Sequence, residues 1–169
     1  MTVEVFKTFL HNTLLEVFPD VEVQVDVTDE FGNVVVDDSG NIMTKVEVRD
    51  NATLNSAVTI ANQSYSALIS NKPAKAVVRF DAQTFQLKTA LCHVYEYVLQ
   101  DDAILHALSL QTMSLSENQV FDNYYRLLQM EREDLEKMRK EFLDEVKDKE
   151  DDSKNLGVML YHRYPRGRR

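Results

Sequence analysis

Side chains able to do chemistry occur at a few places in the chain, and each has a plainer use. Cys92 and His93 set a thiol beside an imidazole. They fall inside a helical pattern, where neighbours in sequence point about 100° apart, so they cannot serve each other as nucleophile and base. A small buried thiol next to a half-exposed imidazole is the simpler reading. Asp101 and Asp102 could share a metal, but both precede an apolar helical run, where a carboxylate caps the helix. The acid-rich stretch from Asp26 to Asp38 lacks the alternating acids and closing glutamate of a calcium loop. Four histidines and one cysteine are scattered without zinc spacing, and no Gly-rich phosphate loop is present. The expectation is a chain that is not an enzyme and carries no metal and no cofactor.

The sharpest local signal is the C-terminal segment, residues 153–169, with five bases and no acid. Apolar Leu156, Val158, Leu160, Tyr161 and Tyr164 lie there among Arg163, Arg166, Arg168 and Arg169. Tyr and Arg are the residues that most often anchor protein interfaces. Pro165-Arg166-Gly167-Arg168 resembles the core of an AT-hook, an arm that lies in a narrow minor groove, but only one copy occurs. The segment reads better as a basic arm that docks on an acidic protein surface.

The rest of the chain has the opposite sign. Of 169 residues, the first fifty carry eleven acids and three bases, and residues 131–152 carry eleven acids and six bases. The total is −9, so the protein as a whole repels phosphate and does not coat nucleic acid. No apolar run approaches the ~20 residues that span a bilayer, so no membrane is expected. A single cysteine and the lack of a basic-then-apolar N-terminus point to synthesis in a reducing cytoplasm. No internal repeat stands out.

The elements that must position these residues follow from periodicity. Val5, Phe6, Phe9, Leu10, Leu14 and Val17 recur at helical spacing up to Pro19, which predicts one helix. Val21 to Thr28 alternates with period two, the mark of a strand with its valines on a half-buried face. Two turn clusters, a short Val34–Val36 strand and an alternating Thr44–Val48 strand complete a three-stranded meander. From Asp50 the period is helical. Predicted are a helix capped by Asp50 or Asn51, a short extended stretch at 77–80, a helix capped by Asp81, and a short helix holding Ile104, Leu105, Leu108 and Leu110. Ser114 and Glu117 fit a capping box for a long last helix. Phe121, Leu128, Leu135 and Phe142 are seven apart, and Tyr124 and Met138 belong to the companion row, a seam within the bundle or between subunits. The polar run Lys147–Asp152 is expected to fray and to detach the C-terminal segment from the bundle. The predicted fold is thus mainly α: a helical bundle with a small N-terminal β-meander and an extended C-terminal arm. Its parts are residues 1–49 (helix plus meander), 50–152 (bundle) and 153–169 (arm).

Residues 50–169 carry a capped helix, a break, and a helix reading Leu87-Lys88-Thr89-Ala90-Leu91 and then Tyr95-Glu96-Tyr97-Val98-Leu99-Gln100-Asp101-Asp102. A short helix, a long charged helix and a tail complete the order. It resembles the adaptor, or head-tail connector, proteins of tailed bacteriophages. The resemblance implies a structural virion protein that forms a ring, a dodecamer in that family, at the head-tail joint. It further implies a C-terminal arm bound to the portal, a neighbouring neck or tail protein on the other side, and DNA passing through without specific binding. The helix and strands before residue 50 are more like the tail-completion or terminator rings of the same neck. A non-viral acidic helical module that dimerises through residues 117–146 is the other reading.

Overall fold

The computed structural model describes residues 1–37, 39–112 and 115–161, and within them every side chain except those of Lys75 and residues 148–161. The chain is mainly α, with one two-stranded antiparallel sheet near its N-terminus. Helices α3 (Ala52–Ile69), α5 (Ala82–Gln100) and α7 (Glu117–Tyr161) form the body, alternating in direction with α5 in the middle. Gln86 on α5 donates to Asn62 on α3 at 2.9 Å, and His93 meets Ser56 at 3.4 Å. On its other side α5 sends Lys88 to Glu131 and Asp134 of α7 at 2.7 and 2.8 Å, while Tyr95 packs against Tyr124. Being flanked twice explains why α5 buries positions all round, from Phe85 and Ala90 to Cys92, Val94 and Val98. Side-chain caps start the first two body helices: Asn51 accepts from the Thr53 amide, and Asp81 from that of Thr84.

The two ends of the body differ. One is closed by α1 (Val3–Lys7), α2 (Asn12–Val17) and α6 (Asp102–Thr112), which Asp101 caps through the amides of Ala103 and Ile104. At the other, α4 (Ala74–Arg79) lays Ala76 against Phe142 and Val146, and Phe80 meets Phe142 with ring centroids 4.7 Å apart.

Several elements depart from the sequence expectation. The single N-terminal helix is two, because the Thr8 hydroxyl turns back to the Val5 carbonyl and the chain restarts at His11. The break brings Phe6, Leu10, Leu14 and Phe18 into the bundle core and leaves Val5 and Phe9 exposed. Residues 77–79 are helical, and only Phe80 has extended backbone. Pro73 starts a helical turn there, and burial of Ala76 holds it. Leu110 lies on the outer face of α6. The capping box that opens α7 is two residues later than expected: Ser116 Oγ accepts from the Gln119 amide, and Gln119 Oε1 accepts from the Ser116 amide. Ser114 lies outside the described residues. Lys147–Asp152 does not interrupt the helix, which continues to Tyr161. In sequence, Glu145 precedes Lys149 and Glu150 precedes Lys154 at the spacing that supports a solvated helix.

The meander is a hairpin. β1 (Val21–Asp26) pairs with β2 (Thr44–Arg49) in the register Val21↔Arg49 to Asp26↔Thr44. Residues 34–36 make no full strand and contribute only the bridges Thr28↔Val34 and Val36↔Ile42. The three segments instead meet in a closed triangle of backbone hydrogen bonds. Val27 donates to Met43, Met43 to Val35 and Val35 to Val27, at 2.8–2.9 Å. Beyond the triangle lie two alike turns, Asp29–Asn33 and Asp37–Asn41. They are a repeat of Asp-x-x-Gly-Asn eight residues apart, too short to stand out in the sequence. Asp29 Oδ1 accepts from the Phe31 and Asn33 amides, and Asp37 Oδ1 from those of Ser39 and Asn41. Gly32 and Gly40 sit at φ +84° and +81°, where a side chain would be strained.

Candidate interaction surfaces

Several of the groups considered for chemistry have structural uses. Cys92 is buried, and burial pushes its thiol up to about 11, away from the thiolate form. His93 turns to Ser56 on another helix. Asp101 is a helix cap, and Asp29 and Asp37 fold their carboxylates into their own turns. Hydrogen bonds from Asn33 and Asn41 hold both below the ordinary carboxylate range. Among the described residues no group of three or more His, Cys, Asp or Glu converges as metal ligands, and no helix is long and apolar enough to cross a membrane.

What the surface does offer is apolar. The hairpin stands clear of the bundle, so no helix packs broadly on either strand. The register decides its faces. Side chains directly opposed share a face, so Val21, Val23 and Val25 lie with Arg49, Glu47 and Lys45, not over a core. There Glu47 bonds Lys45 at 2.8 Å and lies 3.9 Å from Arg49. The other face carries Glu22, Gln24 and Asp26 opposite Val48, Val46 and Thr44. It holds two acids and no base, and Val46 and Val48 are 59% and 67% exposed. Val23 and Val25 are half-buried, as the alternation predicts, but β1 and β2 alternate out of phase, so each face is part apolar and part charged. At the tip, Phe31 is 81% exposed.

The root of the hairpin is fixed. Lys7 reaches Asp20 at 2.7 Å and also Asp50, the residues on either side of the hairpin, and these two carboxylates raise its pKa against the cost of burial. Asn51 closes the same neck by donating to the Pro19 carbonyl at 3.2 Å. Beside the root, α1–α2 and α7 leave an apolar cleft of about 440 Å³, lined by Phe9, Leu10, Leu91, Tyr95, Tyr124 and Leu127. Desolvation drives the Tyr124 hydroxyl up to about 12.

The seam residues divide. Leu128, Leu135 and Phe142 are buried, and Tyr124 and Met138 pack against the core, all within the one chain. Phe121 is 40% exposed and stacks on Tyr125, while Val120 takes the inward place. A strict period of seven drifts against the 3.6-residue turn, which carries the first member of the row outward. Of the predicted arm, Leu156, Val158, Leu160 and Tyr161 lie on helical backbone, not in an extended segment. Arg163, Tyr164, Arg166, Arg168 and Arg169 lie outside the described residues. Sequence reading missed the exposed acidic–valine face and the Lys7 clamp. The first needs the strand register, and the second joins residues 7, 20 and 50.

No protein-family model matches the chain, and neither a curated protein nor a solved structure is significantly similar to it.

Proposed function

We propose that the chain is a structural subunit, not an enzyme, that assembles with copies of itself into a ring, and that the ring is a head-tail connector of a tailed bacteriophage. In this reading the portal lies on one side and the next neck or tail protein on the other, and the protein is made in the host cytoplasm and ends in the neck of the virion. The supporting observation is polarity. One end of the body bears a projecting hairpin with exposed apolar residues, and α7 leaves from the opposite end toward the basic C-terminal segment. A subunit with two unlike ends suits joining on two sides by heterologous contacts. The excess of acid suits a channel that DNA crosses without being held. A dimer through residues 117–146 has less to recommend it, because Leu128, Leu135 and Phe142 are already spent inside one chain.

Electron microscopy of the full-length protein, alone and mixed with the products of its flanking genes, tests this proposal. A closed ring of many copies seated on a portal is the expected result. A protein that stays monomeric or dimeric and binds none of those products sinks it.

A further inference from the structure

Three observations converge on the hairpin's acidic face. Residues 20–50 hold nine acids and two bases, and both bases sit opposite Val21 and Val25, beside Glu47 on the far face. The face of Glu22 and Asp26 therefore has no internal cation, and neither acid makes an ion pair among the described residues. Between those acids Val46 and Val48 are more than half exposed. The chain itself contains one segment of the complementary kind, residues 153–169, with five bases, no acid and apolar side chains between them.

Geometry decides which copy supplies that segment. The hairpin springs from the end of the body where α3 begins, near Tyr124 and α1–α2. α7 runs the other way, past α4, and from Tyr124 to Tyr161 it advances about 55 Å at 1.5 Å per residue. Residues 162–169, even fully stretched, span about 28 Å and fall short of the hairpin root of their own chain. We infer that the Glu22–Asp26 and Val46–Val48 face of one copy's hairpin receives the basic C-terminal segment of a second copy. The contact is heterologous, so it closes into a ring or propagates as a filament. Arginines meet the two acids, while tyrosine and aliphatic side chains cover the valines. This receiver is an alternative to a portal for the same segment, and it needs self-association but no viral component.

Sedimentation velocity and light scattering on the full-length chain test it, with circular dichroism melts as the check on folding. The wild-type chain should assemble with rising concentration, and less so in high salt. Reversing the hairpin (Glu22→Lys with Asp26→Lys) or the segment (Arg163, Arg166, Arg168 and Arg169, each →Glu) should raise the concentration needed for half-assembly roughly tenfold or more. Combining both sets should restore assembly, because the charges are again opposite. Val46→Ser with Val48→Ser should weaken assembly even where salt already screens the charges. A wild-type chain that stays monomeric overturns the inference. So does assembly indifferent to both reversals, or a folded double reversal that does not reassemble. A ring that forms by this contact but binds no portal would leave the inference standing and remove the head-tail assignment, so the two fail separately.

Discussion

The bundle and the hairpin use the same kinds of residue in opposite ways. In the bundle, Phe6, Leu54, Phe85, Val94 and Leu108 are wholly buried, and the stripes of three long helices meet on one another. In the hairpin, Phe31, Val34, Val36, Ile42, Val46 and Val48 all face solvent. Its order comes from the strand ladder, the three-way junction at Val27, Val35 and Met43, and two Asx turns. The difference teaches where stability and recognition have been placed. The helices fold the chain, and the hairpin is held at a clamped root with these six apolar side chains unspent. Apolar side chains left exposed in this way are available to a partner.

The contrast breaks most sharply at Phe85. Phe85→Ala removes a ring that packs on Phe80 under the Arg139 guanidinium, and should cost about 3–5 kcal/mol of global stability. Urea unfolding followed by circular dichroism measures it. If Phe85→Ala and the pair Val46→Ser, Val48→Ser shift the midpoint alike, then the hairpin valines support the fold and the division of roles is wrong.

Ser116→Ala comes next. It removes one half of the reciprocal bond with Gln119 at the start of α7 and should cost about 1 kcal/mol, within the range for a lost N-cap. No change in the urea midpoint would mean that helix packing, not the cap, sets this boundary.

These two sites also show what the sequence could and could not convey. The inward rows of α3 and α5 are readable because one helix face looks at one neighbour, so 3.6-residue spacing maps directly onto burial. The cap of α7 shifted because Ser-x-x-Glu at 114–117 and Ser-x-x-Gln at 116–119 obey the same local rule. The break at Thr8 was hidden because Phe6, Leu10, Leu14 and Phe18 keep a spacing of four across it. The hairpin misled more. Alternation gives the faces of one strand, but only pairing tells which face of the partner joins it, and here Val23 lies opposite Glu47. The recognition surface depends on that register and was therefore illegible, whereas the basic segment could be read from composition alone.

Val23→Asp puts the register to a direct test, with a smaller effect. A valine over a core would make this change a buried charge costing several kcal/mol. On the observed face the new carboxylate lies directly across from Glu47, where a like-charged pair costs up to about 1 kcal/mol and the loss stays in the hairpin. Hydrogen exchange should show faster exchange in β1 and β2 with the bundle amides unchanged. A drop in the global melting temperature of the Phe85→Ala size would mean that Val23 supports the bundle and not only the hairpin.

The smallest effect concerns the two turns and acid. Asp29 and Asp37 have their pKa values lowered by hydrogen bonds to their ionised carboxylates, Asp29 chiefly from the Asn33 side chain and Asp37 chiefly from the Asn41 amide. A group whose pKa is lower folded than unfolded stabilises the fold above its unfolded value, about 3.9 for aspartate. That contribution is lost as pH falls through the folded value. Both carboxylates are open to solvent, so what they stabilise is their own turns and not the chain. Proton-coupled NMR shifts of the Phe31, Asn33, Ser39 and Asn41 amides should therefore move together below about pH 4, ahead of any change at buried Val94 or Leu128. Asp81, also lowered, caps α5, but that helix is gripped on two sides and should outlast the loss of one cap. If hairpin and bundle amides shift at the same pH, the hairpin is coupled to the core, and the separation between a folding region and a recognition region does not hold.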